Sequence, residues 1–205
     1  MNLWELKSTV YKWLRKAPVV KRIHSNEIEA LRELLMVFNI EPGRALDLGT
    51  GLGAAIEVLN TSLPVYAMDC EYAMVSRAVQ RQNIFRIVGS AYNLPFSDES
   101  IPFISMIGVT EYLFDINAAL CEIVRCLNHS GFCLITINPP NLLNYSRLLT
   151  GHRLNLIREF TWENQISDLG LHILGKRKTI MQSAYLLKFS TLLKHSDPDV
   201  AGSYL

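Results

Sequence analysis

The spacing of apolar positions changes period repeatedly along the chain, and the changes mark an alternation of helices and strands. Residues 2–16 set Leu3, Leu6, Val10, Trp13 and Leu14 on one helical face and Lys7, Lys12, Arg15 and Lys16 elsewhere, with Pro18 ending or bending the helix. A second helix is predicted from Asn26 to Phe38, with Asn26 and Glu29 as a capping box and Ile28, Leu31, Leu35 and Phe38 as its buried stripe. Pro42-Gly43 then punctuates the chain. Short apolar runs at Ala45–Leu48, Pro64–Asp69, Phe85–Val88, Ile101–Gly108, Phe132–Ile137 and Leu171–Lys176 read as strands. Helices are predicted between them: Ala54 to Asn60, Tyr72–Gln82, Asp115–Leu127 closed by Asn128 to Gly131, Leu142–Leu149, and one capped by Thr161 that ends at Gly170. Met181–Leu193 fits a strand or a helix equally, and 194–205 reads as a tail. The alternation predicts an α/β fold, a mostly parallel sheet with helices on both faces.

Composition narrows the function classes. With 205 residues the chain suits one domain, and a formal charge of +1 provides no global field for nucleic acid. The expected organisation is N-terminal helices over 1–40 that belong to the same domain, a ligand-binding domain over 41–193 with an insertion at 141–160, and the tail. The four cysteines, Cys70, Cys121, Cys126 and Cys133, lack C-x-x-C spacing. They predict reduced thiols in a cytoplasmic protein and no metal site. The longest uncharged run, between Arg125 and Arg147, is broken by Asn, His, Ser, Gly and a Pro pair and reads as no membrane span. The basic N-terminal helix has two readings: a peripheral membrane contact, or a helix packed on the domain with a solvated charged face.

The chemistry concentrates at Arg44 to Gly53. An apolar strand carrying one acid, Asp47, runs into Gly49, Gly51 and Gly53, and residues that accept a helix follow. Such a turn lets a ligand approach the main chain, and the helix behind it offers N–H groups and partial positive charge to an anionic group. Gly49, Gly51 and Ala54 fit the dinucleotide fingerprint G-x-G-x-x-A, with Asp69 near the place of its ribose-binding acid. The same residues fit D-x-G-x-G-x-G in full. Asp47 separates the two, because a buried carboxylate needs a partner and a ligand ammonium would supply one.

At these residues the chain resembles the class I S-adenosylmethionine-dependent methyltransferases, of the small-molecule type similar to the ubiquinone and menaquinone biosynthesis group. The resemblance implies a seven-stranded Rossmann-like sheet in the order 3-2-1-4-5-7-6, the last strand antiparallel. It implies S-adenosylmethionine as cofactor, held by Asp47, Gly49, Thr50, Gly51, Gly53, Asp69, Cys70, Met74, Ser90, Ala91 and Gly108. Asp69 would accept the ribose hydroxyls, against a plainer reading as a helix N-cap. Gly89 to Asp98 is similar to a family loop with G-D-A followed by L-P-F: Ala91, Leu94, Pro95 and Phe96 match. Ser90 stands where the family has Asp, a shorter and neutral partner for adenine.

The acceptor side is less distinct. Glu111-Tyr112-Leu113 occupies the place of Glu-His-Leu in relatives with small-molecule substrates, so the histidine base is missing. Tyr112 either lines the substrate pocket, its ring toward the cationic methyl, or is a core aromatic; Glu111 reads as structural or as part of the cofactor shell, not as a base. Asn138-Pro139-Pro140 has Asn141 in place of an aromatic residue and follows the fifth predicted strand, so it reads as a loop and not as a base-flipping motif. Tyr145 and Arg147 are available to a pocket under a cap. His152 is the one histidine to test as a base, against a solvated loop residue. The expected reaction is methyl transfer to a small-molecule, lipid or glycan-precursor acceptor, with no nucleic-acid partner. A dinucleotide-dependent oxidoreductase and a non-catalytic cofactor-binding protein of the same fold are the alternatives.

Overall fold

The computed structural model describes residues 18–53, 55–59, 62–148 and 154–189. The predicted helix at 2–16, His152 and the tail lie outside the described residues. In chain order the elements are α1 (Pro18–Val37), β1 (Ala45–Leu48), α2 (Ile56–Leu59), β2 (Val65–Asp69), α3 (Tyr72–Val75), β3 (Ile84–Val88), β4 (Ile101–Met106), α4 (Ile116–Cys126), β5 (Leu127–Ile137), α5 (Leu142–Leu148), α6 (Glu159–Asp168), β6 (Leu171–Lys178) and β7 (Ser183–Phe189). A 3-10 turn at Thr110–Tyr112 follows β4.

One sheet of seven strands runs β3-β2-β1-β4-β5-β7-β6, the order implied by the resemblance. Strand β7 pairs antiparallel with β5 and with β6, which settles the ambiguous Met181–Leu193 stretch as strand over the residues described. Strand residues alternate between two apolar cores, as a sheet covered on both faces requires. Leu46, Leu48, Met68, Ile104, Met106 and Ile135 face one core together with α4 and Trp162 of α6. Ala45, Val65, Ala67, Phe103 and Leu134 face the other with Ile28, Leu31, Leu34 and Leu35 of α1.

Several predicted boundaries are corrected. Helix α1 is described from Pro18 to Val37, and Asn26 and Glu29 lie inside it, so no capping box forms there. Phe38 leaves the stripe and is partly exposed. Its ring packs where Gly175 of β6 has no Cβ; a side chain at 175 would collide with it. The helix after β1 is described over Ile56–Leu59, and the helix after β2 is a single turn, far shorter than the predicted span to Gln82. Helix α4 passes directly into β5 at Leu127, and Gly131 sits in a register shift within that strand, not at a helix C-cap. Asp115 is its N-cap and accepts from the Ala118 N–H at 3.0 Å. Helix α6 starts at Glu159, with Thr161 already in its first turn and no side-chain cap.

One side chain anchors the loop that precedes β4. Arg125 on α4 forms a bidentate pair with Glu122, 2.8 Å on each arm, and also donates to the main-chain oxygens of Leu94 and Phe96 at 3.0 and 2.9 Å. Glu122 in turn accepts from the Leu94 N–H at 2.7 Å. These charge-assisted bonds fix the second half of the 89–98 loop to the helix. The Arg125 guanidinium holds the Glu122 carboxyl down at about 2.

Replacing Arg125 with Ala is expected to destabilise the protein by about 2 kcal/mol in urea titrations at pH 7. Lys is expected to restore less than half, because it cannot make the bidentate pair. Glu122 has its pKa depressed on folding, so its contribution is present above its unfolded pKa of 4.5 and is lost as pH falls toward about 2. The wild-type advantage over Arg125→Ala should therefore shrink across that window.

Candidate functional site

Strand β1 lies in the middle of the sheet and ends at the glycine turn. Asp47 is 1% exposed and pairs in register with Ala67 of β2 and Ser105 of β4, two small residues that leave room beside it. The Ser105 hydroxyl donates to Oδ1 at 2.8 Å. Oδ2 is buried and has no hydrogen-bond partner among the described residues. Burial pushes the Asp47 carboxyl up to about 6, with the hydroxyls of Thr50 and Ser105 lowering it and the charge of Asp69 raising it further. A carboxylate held this way is short of one cation or strong donor.

The glycine turn is shaped by left-handed backbone at Gly49, Gly51 and Gly53, with φ of 72°, 51° and 89°. A side chain at Gly49 would collide with Val109, so the turn lies directly against the segment after β4. Its N–H groups are used internally: Gly49 and Thr50 donate to the Met68 oxygen at 2.8 and 2.9 Å, and Gly53 to the Thr50 oxygen at 2.7 Å. Gly51 donates to Asp69 Oδ2 at 2.9 Å. The amides of Gly49, Thr50, Gly51 and Gly53 are thus all occupied within the fold.

Asp69 ends β2 and spans the turn and the next loop, since its Oδ1 accepts from the Glu71 N–H at 3.0 Å. Glu71, not Asp69, is the N-cap residue of α3. Each Asp69 oxygen retains acceptor capacity for a hydroxyl. Cys70 is exposed and Met74 half-buried on α3 beside it. Ser90 is exposed, its hydroxyl accepting from the Tyr92 N–H at 3.2 Å, and Ala91 packs against the core. The Tyr92 hydroxyl accepts from the Phe114 N–H at 2.7 Å and ties this loop to the turn ahead of α4. Gly108 has φ 67° and donates to the Thr136 hydroxyl at 2.8 Å. Residues from four strand ends thus gather at the carboxyl edge of the sheet, where open α/β folds bind ligands.

A second network centres on Glu111, a residue read from the sequence as structural or part of the cofactor shell. Glu111 is 2% exposed, and its Oε1 accepts from Asn138 Nδ2 at 2.8 Å and Arg147 Nη2 at 3.1 Å. Arg147 also donates to the Tyr112 hydroxyl at 2.9 Å. Three of the four predicted acceptor residues therefore share one network. Tyr112 is 40% exposed and not a core aromatic. Tyr145 is exposed on α5, outside this network. Asn144, which drew no notice in the sequence, is fully buried and pins α5 by donating to the oxygens of Pro139 and Met181, both at 2.8 Å. Segment 154–158 straps across the site: Asn155 N–H donates to the Glu111 oxygen at 2.8 Å and Ile157 N–H to the Asn138 oxygen at 3.1 Å. A groove of about 470 Å³ behind the strap, lined by Phe114, Ile116, Leu156, Ile157 and Gln165 among others, holds none of the predicted site residues. The signal for Ser105 and Glu111 was present: each is a polar residue inside an apolar stretch.

Residues 46–135 match the protein family described as a methyltransferase domain. A demethylmenaquinone methyltransferase of Thermotoga maritima is 28% identical over 120 residues, which cover 56% of this chain and 52% of that protein. The chain thus matches about half the length of that curated relative. Among solved structures, a chain of the Haloferax volcanii complex between a methyltransferase activator and a methyltransferase superposes with TM-score 0.72 at 17% identity, over 87% of this chain and 95% of that one. The magnesium protoporphyrin IX methyltransferase of Synechocystis, with S-adenosylhomocysteine bound, gives 0.71 at 16% identity, over 89% and 95%. These two are likenesses of fold.

Asp47→Asn is expected to stabilise the ligand-free protein. A carboxylate whose pKa is raised on folding binds extra protons in the native state, so native stability falls as pH rises from 3.8 to about 6. The variant should match wild type below that window and exceed it by up to about 3 kcal/mol above it, read from urea titrations across pH.

Proposed function

We propose that this chain, which carries a class I S-adenosylmethionine-dependent methyltransferase domain, moves a methyl group from that cofactor to an O, N or C nucleophile of a small-molecule, lipid or glycan-precursor acceptor. The observation that carries the reading is the buried Asp47 oxygen without a partner, one strand residue ahead of a glycine turn. An aminoacyl nucleoside brings an ammonium group suited to Asp47 and ribose hydroxyls suited to Asp69. Ser90 and Ala91 would border its base, and Gly49 to Gly53 leave backbone open to close approach. A nicotinamide dinucleotide brings no ammonium group and leaves Asp47 unpaired.

When bound, the cofactor supplies an electrophilic methyl group on a sulfonium. The chain's own part is placement. Asp47 and Asp69 fix the two ends of one ligand on adjacent strands, while Glu111, Asn138, Arg147 and Tyr112 border the space for the other. Alignment of reacting groups can contribute up to ~7–11 kcal/mol, so the absence of a histidine at 112 does not weigh against catalysis. The 154–158 strap, joined to Glu111 and Asn138, restricts water on that side.

Demethylmenaquinone and magnesium protoporphyrin IX are the acceptors in the names of the two relatives. For this chain a small-molecule acceptor agrees with the near-neutral charge, which favours neither nucleic acid nor an anionic surface. A peripheral membrane contact would fall to residues 2–16. No described helix is long and apolar enough to cross a membrane.

S-adenosylhomocysteine is expected to raise the melting temperature and to bind by calorimetry, with NAD giving neither response. Asp69→Ala should weaken that binding at least tenfold, and Ser90→Asp should hold or improve it. Labelled-methyl transfer into a metabolite extract separates an enzyme from a non-catalytic binder. Binding of NAD but not of S-adenosylhomocysteine would overturn the assignment.

A further inference from the structure

We infer that Glu111 and Asn138 form a binding site for a hydroxyl or amino N–H/O–H donor carried on an apolar body, and that this donor belongs to the methyl acceptor; the second clause rests on the methyltransferase reading. Two oxygens carry the inference. Glu111 Oε2 and Asn138 Oδ1 are both buried and have no hydrogen-bond partner among the described residues, on side chains 2% and 1% exposed. The two side chains are joined, since Asn138 Nδ2 donates to Glu111 Oε1 at 2.8 Å. That bond uses one of the two N–H groups of the Asn138 amide, and Glu111 Oε2 and Asn138 Oδ1 remain as acceptors. An unmet buried acceptor is costly, more so when charged, so two of them on joined side chains are matched to a ligand that donates.

The charge of the site selects among donors. Glu111 is already paired with Arg147 at 3.1 Å, so its charge is largely answered and a second full cation is not required. A neutral O–H or N–H fits better than an ammonium. Position relates the site to the cofactor crevice. Glu111 is two residues from Val109, which packs on Gly49 of the glycine turn, and Asn138 directly follows the last residue of β5. The body of the ligand is indicated by the neighbouring surface. Phe114 is 95% exposed just after the turn, and Leu142 is 89% exposed at the start of the helix that brings Arg147. Apolar side chains this open, three residues after Glu111 and four after Asn138 in the chain, suit a ring or chain that carries one donor.

Phenol and anisole, the same ring with and without an O–H, test the inference by calorimetry on the full chain saturated with S-adenosylhomocysteine. Phenol is expected to bind at least tenfold tighter than anisole. Glu111→Gln, which puts an NH₂ donor opposite the ligand's own, is expected to abolish that preference while S-adenosylhomocysteine affinity stays within about twofold. Equal binding of the two probes, or a phenol preference that survives in folded Glu111→Gln, overturns the inference. Should the variant not fold, a crystal structure of the wild-type phenol complex decides. Phenol oxygen in hydrogen-bond reach of Glu111 Oε2 or Asn138 Oδ1 supports it; a water bridging both oxygens with phenol elsewhere overturns it. If S-adenosylhomocysteine does not bind, the methyltransferase reading falls, and the probes run without it still test the donor site.

Discussion

A carboxylate sealed into the central strand governs the rest of this structure. Asp47 costs the fold stability wherever it is ionised, and the hydroxyls of Thr50 and Ser105 and the small residues on both flanking strands limit that cost without removing it, since Oδ2 accepts no hydrogen bond among the described residues. Groups arranged in this way are characteristic of ligand sites, where local stability is given up for function. The neighbouring acid works differently. Asp69 spends one bond on Gly51 and one on Glu71, so it holds the glycine turn in shape while retaining lone pairs for a ligand.

The sheet was legible because its pattern is physical and local. Apolar runs bounded by Gly, Pro and Asn predicted six strands within a few residues, and their alternation with helical stretches implied a parallel sheet. The strand order came from the family resemblance, not from periodicity. Helix lengths were poorly legible. The stretch from Tyr72 has helix-compatible residues over two turns and more, yet it forms a single turn, because propensity is a weak prior that tertiary context overrides.

The site was legible in proportion to how much of it lies on contiguous sequence. Asp47 and the glycines announce themselves within seven residues. The Glu111, Asn138 and Arg147 cluster is spread over 36 positions between Glu111 and Arg147, and no periodicity connects them. The same holds for the far edge of the sheet. Lys176 of β6 lies between Glu159 and Glu163 of α6 at 2.9 and 2.7 Å, and Tyr185 of β7 donates to Glu163 at 3.0 Å. That network fixes the last helix against the antiparallel strands.

The anchorage of the 89–98 loop divides it into two unequal halves. Leu94 and Phe96 are bolted to α4 through Arg125, whereas Ser90, Tyr92 and Asn93 are exposed, with Ala91 packed on the core and the Tyr92 hydroxyl bonded to the Phe114 N–H. Substitutions in the first half can therefore accumulate at little folding cost. Position 90 is in this sense editable: its exposed side chain bonds only within its own loop among the described residues, so a longer acceptor such as aspartate can replace the serine without reaching the anchored half.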